Sequence, residues 1–138
     1  MCKSLIGITA FFLIACSAKA QVMPGKSKWI TIKSANLKCW PCKDKLEKYL
    51  VKENYANMNN GIVQWKISLL NGEIRVLYSA DRVSPDEIRT AMNNAGFDAD
   101  EEKAEPDAYK TLPPACKRQE DGGGPQNGKP CHLPPYQK

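Results

Sequence analysis

Two cysteines separated by two residues, Cys39 and Cys42, lie within the stretch NLKCWPC of residues 36–42. Thiols at this spacing can bind a soft metal ion, exchange electrons as a disulfide, or cross-link a loop. A disulfide between the two would close a very short loop, so it would restrain the unfolded chain only weakly. The pair therefore favours metal or redox chemistry over a purely structural cross-link.

The other four cysteines fall into two groups. Cys2 and Cys16 belong to an N-terminal apolar segment, whereas Cys116 and Cys131 lie in the C-terminal part of the chain. An even number of cysteines in an exported protein usually indicates disulfides, so one interpretation is a bridge between Cys116 and Cys131. The alternative is that these two residues and His132 form an auxiliary metal site, because thiolate and imidazole both bind zinc and copper.

Residues 1–20 have the features of an export signal, a lysine at position 3 followed by the apolar run LIGITAFFLIAC. The run is too short to span a bilayer comfortably. Ala18-Lys19-Ala20 resembles a cleavage site that would leave Gln21 as the first residue. The segment ending at Cys16 resembles a bacterial lipobox, which would make Cys16 a lipid anchor. Both readings predict the periplasm or cell envelope of a bacterium.

The charge balance excludes several classes of function. The first twenty residues hold two of the 20 basic residues and no acidic one, so the remaining chain has 18 basic and 15 acidic residues. The lysines are scattered, unlike the clustered basic surface of a nucleic-acid-binding protein. The only histidine is His132, and the glycines at 122–124 lack the Lys-Ser/Thr of a phosphate-binding loop. We expect neither an enzyme nor a nucleic-acid partner.

The first half of the remaining chain predicts a strand followed by a helix. Residues 29–33 (WITIK) alternate and are rich in strand-forming residues. From Cys42 to about residue 52 or beyond, Leu46 and Leu50 recur at helical spacing among lysines and glutamates. The sequence NMNNG at 57–61 ends this helix.

Two strands and a turn are predicted next. Residues 62–70 alternate, with Val63 and Leu69 on the same face, and residues 73–78 alternate as well. Asn71-Gly72 between them is typical of a two-residue hairpin turn with positive φ at both positions.

A second helix and a final strand complete the predicted domain. Ser84, Pro85 and Glu87 have the spacing of a capping box with proline in the first turn, and Gly96 is typical of a helix C-terminus. Residues 98–103 then predict a weak, polar edge strand.

The order β-α-β-β-α-β indicates an α+β, ferredoxin-like fold, with two helices on one face of a four-stranded antiparallel sheet. We divide the chain into a signal segment (1–20), a lead-in (21–27), a folded domain (28–104) and a Pro/Gly-rich tail (105–138). The tail has almost no apolar periodicity, so we expect it to be mostly irregular or disordered.

The predicted position of the cysteine pair favours thiolates. Cys42 lies near a helix N-terminus, where free N–H groups and partial positive charge stabilise an anion, and Lys38, Lys43 and Lys45 are close in sequence. Two thiolates can form the nearly linear site that Cu(I) and Hg(II) accept, whereas Zn(II) prefers four ligands and is less suited.

Residues 28–104 resemble the heavy-metal-associated domain family, which includes copper chaperones, metal-binding modules of copper-pumping ATPases and periplasmic mercury-binding proteins. Cys39 and Cys42 match the paired metal cysteines of the family. The other matching positions are apolar residues of both helices, the opening of strand two and a Gly-Phe pair, namely Leu46, Leu50, Gly61, Ile62, Val63, Ile88, Ala91, Met92, Gly96 and Phe97. Where the family usually has Gly-Met-Thr before the first cysteine, this chain has Asn36-Leu37-Lys38.

The resemblance implies one Cu(I) or Hg(II) ion bound by Cys39 and Cys42. Leu37, Lys38, Trp40 and Phe97 would surround the site, with Leu37 in place of methionine as a buried anchor of the loop. An exported domain of this kind resembles the mercury-binding proteins more than the cytosolic chaperones. The implied role is that of a monomer that scavenges the ion or passes it, by thiolate exchange, to a metal transporter or another metal-binding domain.

A periplasmic thiol-disulfide oxidoreductase is the alternative. Proline before the second cysteine of CWPC is common in thioredoxin-type active sites. A thioredoxin fold needs more strands and a separate cis-proline segment, whereas a hairpin and one helix follow here. Metal binding is therefore favoured.

Overall fold

A computed structural model describes residues 26–135 of the chain. Its regular elements are β1 (Ser27–Lys33), α1 (Trp40–Ala56), β2 (Ile62–Ser68), β3 (Glu73–Ser79), α2 (Pro85–Asn94) and α3 (Pro106–Lys110). The predicted signal segment and most of the lead-in lie outside the described residues. Within residues 26–135, no helix has the length and apolar character needed to cross a membrane.

The three strands form an antiparallel sheet in the order β1-β3-β2. β1 pairs with β3 from Ser27 opposite Ser79 to Lys33 opposite Glu73, and β2 pairs with the other edge of β3. β1 and β2 therefore run parallel to each other with β3 between them, as in a split βαβ unit. The predicted α+β class and the order β-α-β-β-α are confirmed.

The predicted fourth strand at residues 98–103 is wrong. Only an isolated bridge between Ala99 and Glu102 forms there, and Asp100 has a φ of +54°, which an extended strand does not adopt. The segment touches the end of β1 through two hydrogen bonds, from Lys33 N to Asp100 Oδ1 (2.9 Å) and from Asp100 N to Lys33 O (2.8 Å). It makes a tight turn at the sheet edge instead of extending the sheet, which has three strands in the described chain.

The hairpin between β2 and β3 differs in detail from the prediction. The last pair is Ser68 opposite Glu73, so four residues form the loop, and only Gly72 of the predicted Asn-Gly pair has positive φ (+62°). A register shift between Ile62 and Gln64 turns Val63 outward, where it is exposed, and Ile62 is buried in its place. The alternation of apolar and polar residues could not reveal this bulge, because a bulge adds one residue and so shifts the inward and outward positions by one.

Helix α2 begins and ends as the sequence predicts. The Ser84 hydroxyl accepts a hydrogen bond from Glu87 N, and the Glu87 carboxylate accepts one from Ser84 N (2.7 Å). Gly96, just beyond the helix, has a φ of +97°. These local interactions fix both ends of the helix that packs beside α1.

The core lies between the helices and one face of the sheet. Leu46 and Leu50 of α1 are fully buried, as are Ile88 and Met92 of α2. They form one cluster with apolar side chains of the strands and following loops, including Ile32, Ile74, Val76, Tyr78 and Phe97. This packing fixes the end of the domain at which α1 begins.

The tail is irregular but folded. Beyond α3 it forms three 3₁₀ turns, at Pro114–Cys116, Gln119–Asp121 and Gln126–Gly128. Leu112 and Cys116 are buried in the domain core. The expectation of disorder is therefore wrong for the described part of the tail, which covers the end of the domain.

A buried ion pair attaches the tail to the turn after α2. Arg118 donates two hydrogen bonds to the carboxylate of Asp98, which is 3% exposed and also accepts a bond from Ala104 N (2.9 Å). Burial by itself would raise the pKa of Asp98, but the hydrogen bonds from Arg118 and Ala104 and the charge of Arg118 outweigh it and lower the pKa.

We expect Asp98→Asn to lower the free energy of unfolding by about 3 kcal/mol at neutral pH, because it removes the buried carboxylate that pairs with Arg118 and leaves that charge only the exposed Asp121 as a partner. Since the folded-state pKa of Asp98 is lowered, its contribution is complete above the unfolded-state value of about 4 and is lost as the pH falls through the folded-state value. Urea unfolding of the wild-type protein and Asp98→Asn should be measured at neutral pH and at a pH below the folded-state pKa of Asp98. The difference between their free energies of unfolding should be smaller at the acidic pH. Asp107→Asn, which affects an exposed pair with Lys110, is the control and should change nothing measurable. A wild-type midpoint for Asp98→Asn at neutral pH would contradict the prediction.

Candidate metal and disulfide site

The cysteine pair lies at the beginning of α1. Cys39 is the N-cap residue with extended backbone, and its carbonyl oxygen accepts hydrogen bonds from the N–H groups of Cys42 (3.0 Å) and Lys43 (3.2 Å). The helix starts at Trp40, two residues before the predicted start, and Pro41 lies in its first turn, where a missing N–H is tolerated. Both cysteines are therefore held where the helix N-terminus carries its partial positive charge.

Each cysteine of this pair is joined to a cysteine of the tail. Cys39 is linked to Cys131, with a Cα–Cα distance of 4.6 Å, and Cys42 is linked to Cys116, with a Cα–Cα distance of 5.4 Å. The interpretation in which Cys116 pairs with Cys131 is therefore wrong. The geometric reason is that the folded tail passes over the start of α1, which brings each tail cysteine against a different member of the pair.

The disulfides determine what the site can do in this state. Cys39, Cys42 and Cys116 have no exposed surface, whereas Cys131 is only partly buried. All four sulfurs are consumed in bridges, so none is present as a thiolate. Among the described residues, no three His, Cys, Asp or Glu side chains are grouped so that they could hold a metal ion. Cys116, Cys131 and His132, the predicted auxiliary site, therefore do not form such a group in this state.

The amide of Asn36 connects the loop before α1 to two other segments. It is buried, and its Nδ2 donates to the carbonyl oxygens of Gly96 (3.0 Å) and Cys116 (3.0 Å). Its Oδ1 accepts from Asp98 N (2.9 Å) and from the Ser34 hydroxyl (3.2 Å). The side chain thus holds the tail beside the loop independently of the disulfides.

The other residues predicted around the site differ in their positions. Leu37 and Phe97 are fully buried in the core, so the buried loop anchor predicted at Leu37 is present. Trp40 is partly buried beneath the Lys43 ammonium, which lies 4.5 Å from the ring centre, and Lys38 is exposed. The backbone N–H of Trp40 donates to Cys131 O (2.7 Å), a noncovalent attachment of the tail in addition to those made by Asn36 and by the Asp98–Arg118 pair.

The sequence draws attention to the cysteine pair but not to the residues that hold the tail against it. Asn36 stands out in the sequence only as a departure from the usual lead-in, and no sequence pattern distinguishes Asp98 or Arg118. The sequence contains two signals of this closed site. Asn36 replaces the usual glycine, and the tail has two cysteines, as many as the pair. The pairing itself cannot be deduced from spacing, because four cysteines allow three connectivities.

The chain is similar to several solved structures over about half of its length. Oxidized MerP from Ralstonia metallidurans CH34 has 15% identity and a TM-score of 0.46, covering 53% of this chain and 93% of that one. A copper binding domain from HMA7, a P-type ATPase, has 24% identity and a TM-score of 0.45, covering 52% and 89%. The CopZ metallochaperone has 22% identity and a TM-score of 0.45, covering 52% and 98%. No protein-family model and no curated protein matches the chain.

Peptide mapping without reductant tests the pairing. Trypsin should leave residues 39–43, 111–117 and 119–138 joined as one three-peptide species, because both cysteines of the first peptide are bridged to the tail. Digestion after reduction is the control and should release the three peptides separately. Recovery of residues 111–117 linked only to residues 119–138 would contradict the structure.

We expect Asn36→Ala to lower the free energy of unfolding by at least about 2 kcal/mol, because it leaves buried backbone groups of Gly96, Cys116 and Asp98 without a partner. Urea unfolding of the oxidised protein measures the change. Asn94→Ala, at an exposed position at the end of α2, is the matched control and should have little effect. Equal decreases in the free energy of unfolding for the two variants would contradict the stabilising role of the buried Asn36 amide.

Proposed function

We propose that the chain is an exported, non-enzymatic protein of the bacterial envelope that binds one Cu(I) or Hg(II) ion through Cys39 and Cys42. The observation that carries this proposal is the placement of both cysteines at the first turn of α1, one as N-cap and one within the turn. Two sulfurs so placed offer a soft ion two ligands from one short segment. The heavy-metal-associated resemblance of residues 28–104 supports the same pair.

The electrostatic surroundings favour the charged form of the ligands. The N-terminus of a helix stabilises negative charge through its unpaired N–H groups, and α1 has 17 residues. Its first turn contains no acidic residue, and the Lys43 ammonium lies over Trp40, beside Cys39 in sequence. Cys39 and Cys42 are fully buried among core residues, which opposes a charged sulfur, so the helix N-terminus is the feature that favours thiolates at this position.

The oxidised form has all four sulfurs in bridges and offers the ion no thiolate, so the metal-binding form is the reduced one. Reduction of each bridge takes two electrons and two protons and gives two thiols, which makes Cys39 and Cys42 available. The ion then moves by ligand exchange, in which the thiolates of a metal transporter or another metal-binding domain replace those of Cys39 and Cys42 one at a time. The ion is never free during such a transfer.

We expect the protein reduced under anaerobic conditions to bind one Cu(I) ion, and the oxidised protein to bind none. Competition with a chromophoric Cu(I) chelator measures the affinity. Cys39→Ser and Cys42→Ser should each weaken binding by more than about 100-fold, since two-coordinate Cu(I) depends on both thiolates.

The control for this experiment is the double variant Cys116→Ser with Cys131→Ser, measured after the same reduction. It keeps the pair and should bind one ion with nearly the affinity of the reduced wild-type protein. The proposed ligand set is wrong if Cys39→Ser and Cys42→Ser bind Cu(I) as tightly as this double variant.

A second candidate function is thiol-disulfide exchange with other proteins. The presence of all four sulfurs in bridges favours it, because a partly accessible disulfide, Cys39–Cys131, could oxidise a substrate dithiol. Catalysis of insulin reduction by the metal-free protein in the presence of dithiothreitol distinguishes the two functions. The metal-binding proposal expects no acceleration above the reaction with dithiothreitol alone.

A further inference from the structure

The two disulfides differ in their access to solvent. Cys42 and Cys116 both have no exposed surface, so neither sulfur of that bridge can be approached from outside the folded protein. In the other bridge Cys39 is also fully buried, but Cys131 is only partly buried and is followed by partly buried His132 and exposed Leu133. Disulfide exchange requires a thiolate to reach a sulfur atom, so access selects the point of attack.

The direction of bond breaking is favourable at this bridge. A thiolate that attacks Cys131 Sγ displaces Cys39, whose sulfur is at the N-cap of α1. The partial positive charge of a helix N-terminus stabilises a departing thiolate. Attack on Cys131, the more accessible residue of this bridge, thus releases the better-placed leaving group.

The surface beside Cys131 suits a protein donor. A shallow pocket next to it is lined by Trp40, Lys43, Ile67, Ser68, Leu69, Leu70 and His132, and contains no carboxylate among its described residues. Leu70 is 78% exposed at its rim. An apolar, weakly basic depression of this kind can receive the apolar loop that carries the thiols of a dithiol protein.

We propose that Cys131 Sγ is the entry point for an external protein dithiol, and that reduction of the chain begins at the Cys39–Cys131 bridge. A donor thiolate attacks Cys131 Sγ and forms a mixed disulfide, while the Cys39–Cys131 bond breaks and its electron pair leaves on Cys39. The second donor thiol loses its proton and attacks the mixed disulfide, so that the donor becomes a disulfide and Cys131 a protonated thiol.

The link to metal binding rests on the proposed function, because this step would free the first of the two metal ligands. The order of reduction itself involves no metal. Kinetics of reduction in the absence of metal therefore test this inference separately, and a protein that fails to bind Cu(I) can still be reduced in the proposed order.

Two matched double variants isolate the bridges. Cys42→Ser with Cys116→Ser keeps only the accessible bridge, and Cys39→Ser with Cys131→Ser keeps only the buried one. Each is reduced with thioredoxin, a protein dithiol, and separately with dithiothreitol, a small-molecule dithiol. We expect the accessible bridge to be reduced at least about 10-fold faster than the buried bridge, since exchange rates depend on access. Equal rates, or faster reduction of the buried bridge, would overturn the proposal.

The wild-type protein provides a measurement that does not depend on how the variants fold. Brief reduction followed by alkylation and peptide analysis identifies the first thiols to appear. We expect Cys131 to be alkylated in the first trapped intermediate. A first intermediate in which Cys42 and Cys116 are alkylated while Cys131 remains bridged would overturn the proposal.

Discussion

The buried amide of Asn36 is the interaction on which the closed end of the domain depends. It uses both of its N–H groups and its carbonyl oxygen to join the loop before α1, the turn around Gly96 and the tail at Cys116. A buried amide is tolerated only when its hydrogen bonds are satisfied, and an incomplete set would cost more than an apolar side chain. The three segments must therefore be present together, which explains why a tail without apolar periodicity is nevertheless ordered.

The proposed metal binding and the folded tail would use the same sulfur atoms in incompatible ways. A soft ion requires Cys39 and Cys42 as thiolates, whereas the folded tail engages each of them in a bridge. The tail does not depend on the bridges alone, because Asn36, the Asp98–Arg118 pair and the Trp40 N–H also hold it. The oxidation state of the sulfurs can thus change without removing every contact that positions the tail cysteines.

The parts of the structure that the sequence predicted are those set by local interactions. The capping box of α2 and the strands of the β1-β3-β2 sheet follow from residues close in sequence. The fourth strand was predicted wrongly because Asp98 pairs with Arg118, twenty residues later, and the chain turns at Asp100. The disulfide connectivity could not be predicted for the same reason, because it depends on where the tail folds and no local sequence pattern encodes that.

The two bridges are nested along the chain, since the Cys42–Cys116 link lies entirely within the segment closed by Cys39–Cys131. Residues 119–122, between the tail cysteines, are exposed and form the kind of surface segment at which proteases cut. A single backbone break there would not release the C-terminal piece, because the Cys39–Cys131 bridge keeps it attached at the N-cap of α1. This end of the domain therefore tolerates cleavage for as long as Cys39 and Cys131 remain joined by their disulfide.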